Sequence, residues 1–354
     1  MRSIFLISLI PVMSLAMILV QAGRLPAAEE KVYLGLVIRS TDNEYCNQQV
    51  AGARLFASSL PAGSIATQIL TSDGDDKKQL AGIRAFLSEH GRNAILYVEP
   101  SSAANTTSIA TLCEDRGAYW TSVRRRAEKL FPWEFRYYVM HQSVDGVKQG
   151  YDIAVRMFKE FKTSSQGRIL ALQGPPGNDL AVERFEGLQK ALKEYDVKLL
   201  DATVCDLDPE LALKATEAWL DKLHDFDGIW SANDDMALAA IQALKTRGLN
   251  RKIKVAGADG IAAALEAIET GDMVCTVANN GYLQGGYGAA YAYKAWKGEI
   301  DPADLLRRQR AFYTDSILVD RDSLAGYRRK FIQRPPNYDF NDLKFPIGRL
   351  MNLN

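Results

Sequence analysis

Short, nearly continuous apolar runs alternate with longer amphipathic stretches along most of this chain, and no other feature restricts its fold as much. The first run, Val32-Tyr33-Leu34-Gly35-Leu36-Val37-Ile38, is the mark of a strand covered on both faces. A helical stretch over 44–60 follows and stops at Pro61-Ala62-Gly63. Next come a strand over 64–70, a helix capped by Asp73-Gly74-Asp75-Asp76 and ended by Gly91, a strand over 93–98, a helix over 103–116 and a strand over 118–123. A basic, irregular segment and an extended piece over 135–142 interrupt the series. It then resumes with strands over 168–173, 197–204, 228–231, 253–258 and 273–277, separated by helical stretches, the last over 282–297. Strands spaced by helices of this length pair in parallel, with helices covering the sheet. Two series predict two α/β lobes. No Pro/Ser-rich tether divides them, which suits a hinge of short ordered segments.

The chain has 354 residues, 47% of them apolar, enough for large cores without metals or bridges. Lys plus Arg is 43 and Asp plus Glu is 43, a balance that argues against a nucleic-acid or anionic-membrane binder. Residues 4–20, behind Met1-Arg2-Ser3, are almost wholly apolar and lead to Val20-Gln21-Ala22. They read as a secretory signal peptide cleaved near Ala22 or Ala28. The alternative, an uncleaved anchor, is weakened by Pro11 and by a run shorter than about 20 residues. Cys46, Cys113, Cys205 and Cys275 have no metal-like spacing. In an oxidising compartment they permit two bridges in any of three pairings, although buried free thiols fit as well. No G-x-S-x-G, H-E-x-x-H or Walker motif is present, so neither an enzyme nor a cofactor is expected. Gly285-Gly286-Tyr287-Gly288 reads as close helix packing, and Asn105-Thr106-Thr107 matches a glycosylation sequon.

Ligands of open α/β sheets bind at the carboxyl ends of strands, so the strand-to-helix junctions carry the functional reading. Asn43 and Tyr45 follow the first strand, Asn178 and Asp179 follow 168–173, Asn233 follows 228–231, Asp259 follows 253–258, and Asn279 follows 273–277. Any one of these polar residues is accounted for as a helix cap. Together they form a rim of amides and carboxylates, the groups that hold vicinal hydroxyls, and Tyr45 adds a face for a sugar ring.

At these junctions the sequence resembles the ribose-type periplasmic sugar-binding proteins. The similarity lies in Ser40-Thr41-Asp42-Asn43-Glu44-Tyr45, Glu183-Arg184-Phe185-Glu186-Gly187, Trp230-Ser231-Ala232-Asn233-Asp234-Asp235, Val255-Ala256-Gly257-Ala258-Asp259-Gly260 and Thr276-Val277-Ala278-Asn279. It implies two Rossmann-like lobes with parallel sheets joined by a three-stranded hinge, with crossings near 139–144, 277–282 and 310–315. The lobes would comprise 31–140 with 281–312 and 141–280 with 313–334, and residues 335–354 would form an extended strap anchored by Phe345 and Leu350. The ligand positions implied are Asn43, Tyr45, Asn233, Asp259 and Asn279. Arg124 and Arg125 stand where the family has an Asp-Arg pair, so an acid is replaced by a base. Val182 stands where the family has a second-lobe arginine, beside Asn178 and Asp179. The implied protein is a monomeric periplasmic receptor for a sugar or cyclic polyol that serves an ABC transporter permease and binds no nucleic acid. A sensory input for a membrane kinase or chemoreceptor is the alternative.

Overall fold

Two sheets with helices on their faces account for both series of strands. The structure, a computed structural model, describes residues 31–127, 129–161, 166–223, 225–333 and 336–351; the expected signal peptide lies outside these residues. The first sheet grows through β1 (Val32–Ile38), α1 (Glu44–Ser58), β2 (Ile65–Thr71), α2 (Asp76–His90), β3 (Ala94–Val98), α3 (Ala103–Arg116), β4 (Trp120–Val123) and β5 (Tyr138–Ser143). The second grows through α4 (Gly146–Phe158), β6 (Gly167–Gln173), α5 (Asp179–Glu194), β7 (Val197–Val204), α6 (Pro209–Lys222), β8 (Gly228–Ser231), α7 (Asp234–Thr246), β9 (Lys254–Ala256), α8 (Ala262–Thr270) and β10 (Cys275–Ala278). The chain returns to the first sheet with α9 (Gly281–Lys297), α10 (Arg307–Arg310) and β11 (Ala311–Tyr313). It crosses again to β12 (Ile317–Asp320) and α11 (Leu324–Phe331), and ends in β13 (Arg349–Leu350) beside β11.

Strand order is β13-β11-β5-β4-β3-β1-β2 in one sheet and β12-β10-β9-β8-β6-β7 in the other. Pairing is parallel except for β10 with β12 and β11 with β13. Three passages therefore join the sheets, after β5, after β10 and after β11. The tail makes a fourth passage. Tyr338, Phe340 and Leu343 return to the core of the first sheet, with Phe340 only 7% exposed. Phe345, expected as an anchor, is instead 57% exposed. It stacks on Tyr287, whereas Phe340 lies between Phe56 and Tyr287.

Glycines set the helix spacing in both lobes. A Cβ on Gly285 of α9 would lie 1.9 Å from the Gln49 carbonyl of α1, and one on Gly150 of α4 would lie 1.8 Å from the Arg184 carbonyl of α5. The Gly285–Gly288 run thus packs helices. The four cysteines are buried and unbridged. The Asn105 amide is buried against Gln79 and Ser101, which makes the sequon fortuitous.

His141 of β5 is buried, with Nδ1 2.7 Å from Ser122 Oγ. Burial, then the Arg126 charge, pushes its pKa from 6.5 down to about 3. The unfolded chain therefore takes up this proton near its ordinary pKa while the folded chain resists it, so stability falls as pH drops from about 6.5 towards 3. Urea midpoints measured across that range should fall more steeply for the native protein than for His141→Gln. Equal slopes would mean that His141 titrates freely in the fold.

Candidate functional site

Both sheets contain a switch point. β1 pairs with β2 on one side and β3 on the other, and β6 pairs with β7 and β8. Beyond the strand ends of the first sheet lie Tyr45, Glu99, Arg124 and Arg125. Glu99, directly after β3, is 1% exposed, with its carboxylate 3.5 Å from Arg124 Nη1 and 4.0 Å from Arg125 Nη1. It also accepts from Cys46 Sγ at 3.5 Å, and burial followed by this carboxylate pushes the thiol up to about 12. Burial disfavours the Arg124 charge, but Glu99, Tyr45 and Asp259 outweigh it and raise the pKa above the ordinary range. Arg125 donates to the Pro100 carbonyl at 3.1 Å. Burial lowers its pKa, and Glu99 and Asp179 offset part of that. Tyr45 is 5% exposed, donates to Gln284 Oε1, and has the Arg124 guanidinium 4.9 Å from its ring centroid. One face expected for a sugar ring is thus covered by Arg124. Asn43 is exposed and caps α1 through Oδ1, 3.0 Å from the Cys46 amide.

On the second sheet Asp259 is the centre. Its Oδ1 accepts from Arg184 Nη2 at 2.8 Å and from Asn279 Nδ2 at 3.3 Å, which leaves Oδ2 without a partner among the described residues. Arg184, with a side chain 3% exposed, also donates to the Ala232 carbonyl at 2.7 Å and to Gln149 Oε1 at 2.9 Å. Asn178 and Asn233 are buried caps of α5 and α7. Their Oδ1 atoms accept from the Ala181 and Met236 amides, which leaves their amide hydrogens for a ligand. Asp179 is exposed in the first turn of α5. Asp234 is fully buried and accepts from the amides of Gly260 and Ile261 and from Thr276 Oγ1. Burial, then Asp259, pushes its pKa up to about 7.

Two further facts join these rims into one site. Asp259 acts electrostatically on both Tyr45 and Arg124, and Glu44 Oε2 accepts from the Ala262 amide at 3.1 Å, so the two lobes meet. Arg124 and Asp259 also both hold positive φ, 68° and 130°, a strained backbone that costs about 1–3 kcal/mol and is concentrated at functional sites. A cavity of about 510 Å³ along α11 is a weaker candidate, because its walls include Arg328 already paired with Glu269 at 2.7 Å. Among the described residues, no three His, Cys, Asp or Glu side chains converge as metal ligands.

The sequence reading missed Glu99. It expected the wall at Arg124 to have lost an acid, but the acid comes from the neighbouring strand end. The only signal was a junction, Glu99-Pro100-Ser101-Ser102, of the same kind as those it did single out.

The periplasmic binding protein domain family matches residues 34–300. The chain belongs to this family. Among curated relatives, the ribose import binding protein of Haemophilus influenzae is 28% identical over 278 residues, covering 75% of this chain and 86% of the relative. A xylitol-binding protein of Mycolicibacterium smegmatis is 31% identical over 173 residues, 48% of this chain and 49% of the relative. Among solved structures, a twin-arginine translocation pathway signal protein from Burkholderia phytofirmans superposes with a TM-score of 0.84 at 32% identity, over 91% of this chain and 98% of that one. A periplasmic solute-binding protein from Actinobacillus succinogenes with bound D-allose shares the fold, with a TM-score of 0.73 at 23% identity over 84% of this chain and 100% of that one. Members of the family work in the periplasm as binding components of ABC transporters, and the type 1 fold with its two mainly parallel sheets is the one described above.

Proposed function

We propose that this protein captures a neutral sugar or cyclic polyol between its two rims and delivers it, closed, to an ABC transporter permease. It is a binding protein and not an enzyme, works as a monomer, and is exported by the cleaved N-terminal segment. Asn43, Tyr45, Arg124, Arg125, Asn178, Asp179, Asn233, Asp259 and Asn279 are assigned to the ligand, and Glu99 joins them. The observation that carries the reading is the pair of opposed, internally compensated charges, Arg124 with Glu99 and Arg184 with Asp259. Arg125 in turn lies 4.0 Å from the same Glu99 carboxylate and is also acted on by Asp179. Such a pocket offers charge-assisted hydrogen bonds to hydroxyls without demanding a charge from the ligand. Relatives named for ribose and xylitol, and neighbours holding D-allose and myo-inositol, support the same ligand class.

A thermal-shift panel tests this reading: D-ribose, D-allose, xylitol and myo-inositol beside D-ribonate and D-glucuronate. A ligand at 100 times its Kd should add about 2.7 kcal/mol of stability. At least one neutral compound should do so more strongly than the acids. Stabilisation by the acids alone would overturn the neutral-ligand assignment.

A further inference from the structure

We infer that Gln149 and Gln284 are a matched pair of positioning residues, one per lobe, that fasten the pocket side chains to the third passage between the sheets. The inference rests on the cleft being the ligand site. Each glutamine lies four residues beyond the cap of a helix that enters directly from a passage: α4, capped by Asp145 after β5, and α9, capped by Asn280 after β10. Both are buried, Gln149 at 1% exposure and Gln284 at 0%.

In the second lobe, Gln149 Oε1 accepts from Arg184 Nε at 2.9 Å, which fixes the guanidinium plane that meets Asp259. Its Nε2 donates to Asn279 Oδ1 at 2.6 Å and to Ser316 Oγ at 2.7 Å. In the first lobe, Gln284 Oε1 accepts from the Tyr45 hydroxyl, and its Nε2 donates to Thr314 Oγ1 at 2.9 Å. The Gln284 carbonyl also accepts from Gln142 Nε2 of β5 at 2.6 Å. Thr314 and Ser316 are two residues apart on the link from β11 to β12. One reaches the first-lobe glutamine and the other the second-lobe glutamine.

An amide suits this task because it accepts at one atom and donates at another, so it can take a hydrogen bond from Arg184 or Tyr45 while giving one to the passage. Leucine keeps the bulk and loses both. A buried polar network of this kind favours one arrangement because any partly satisfied alternative is penalised. The angle between the lobes is thereby tied to where Asp259 and Tyr45 stand.

The test is made on ligand-free protein, so its outcome does not depend on whether any sugar binds. Spin labels at exposed Arg84 on α2 and Glu217 on α6 report the distance between lobes. Gln149→Leu and Gln284→Leu should each widen the distance distribution at least twofold. Gln149→Glu should also widen the distribution, because it still accepts from Arg184 but sets a second acceptor oxygen against Asn279 Oδ1, where Nε2 donated at 2.6 Å. Ser316→Ala and Thr314→Val are mild changes that should widen the distribution with the thermal midpoint within a few degrees of native. They carry the test if a leucine variant does not fold. Native widths in Ser316→Ala and Thr314→Val would overturn the inference, as would a native width in Gln149→Leu.

Discussion

Asp259→Ala should abolish ligand binding and also weaken the fold, and the two losses have different causes. The first is the missing acceptor in the closed pocket, about 2–5 kcal/mol for one partner of a buried charged hydrogen bond. The second is Arg184. With its side chain 3% exposed and its Nη2 bonded to Asp259, it would be left as an uncompensated buried cation, at a cost of about 3–5 kcal/mol. Asp259→Asn separates the effects, since it keeps an acceptor for Arg184 and loses the charge offered to the ligand. Calorimetry with the most stabilising sugar should show binding lost in both variants, while denaturant midpoints should fall much further for alanine than for asparagine. Near-native affinity in Asp259→Asn would remove Asp259 from the pocket.

Glu99→Gln should have the second largest effect. The carboxylate is buried between Arg124 and Arg125, and its removal takes away the acid that lies within 4.0 Å of both guanidinium groups. Breaking such a group costs about 3–5 kcal/mol, discounted here because the two arginine side chains keep 17% and 12% exposure. The same change should turn the pocket towards anions. Paired titrations of neutral sugars and their matching acids should show preference moving to the acids by tenfold or more, about 1.4 kcal/mol. Adding Arg125→Ala should reverse that shift. Unchanged preference and unchanged stability in Glu99→Gln would mean that the wall carries no field the ligand can feel.

The fold is legible in the sequence because strands buried on both faces are written as consecutive apolar residues. Val32 to Ile38 can hardly be anything else, and Asp259 and Asn279 stand out as the polar residues just past a strand end. Glu99 is not found that way. Its meaning depends on Arg124, 25 positions later, standing at the end of the adjacent strand in the sheet. Gln149 and Gln284 are harder still, since a glutamine one turn into a helix is unremarkable until the partner helix and the third passage are in place. The tail fails for a related reason. Phe340 and Phe345 are both aromatic residues in a polar stretch, and only the path back to α9 decides which is covered. Tyr45 lies beyond the strand ends, but a guanidinium already occupies the face that the sequence assigns to a sugar.

The two residues of β13 also bear on how the protein behaves at high concentration. Without them β11, an Ala-Phe-Tyr segment, would end the first sheet with open backbone donors and acceptors, a template on which a second molecule could add a strand. β13 takes up that pairing at Phe312 and Tyr313, and Arg349 binds Asp145 at the cap of α4. The outermost strand is then too short to propagate a sheet and carries a fixed charge. Removing residues 349–354, which leaves Phe340 and Leu343 in the core, should therefore produce self-association before it produces unfolding. β13 thus closes an edge at which the first sheet would otherwise be open to further pairing.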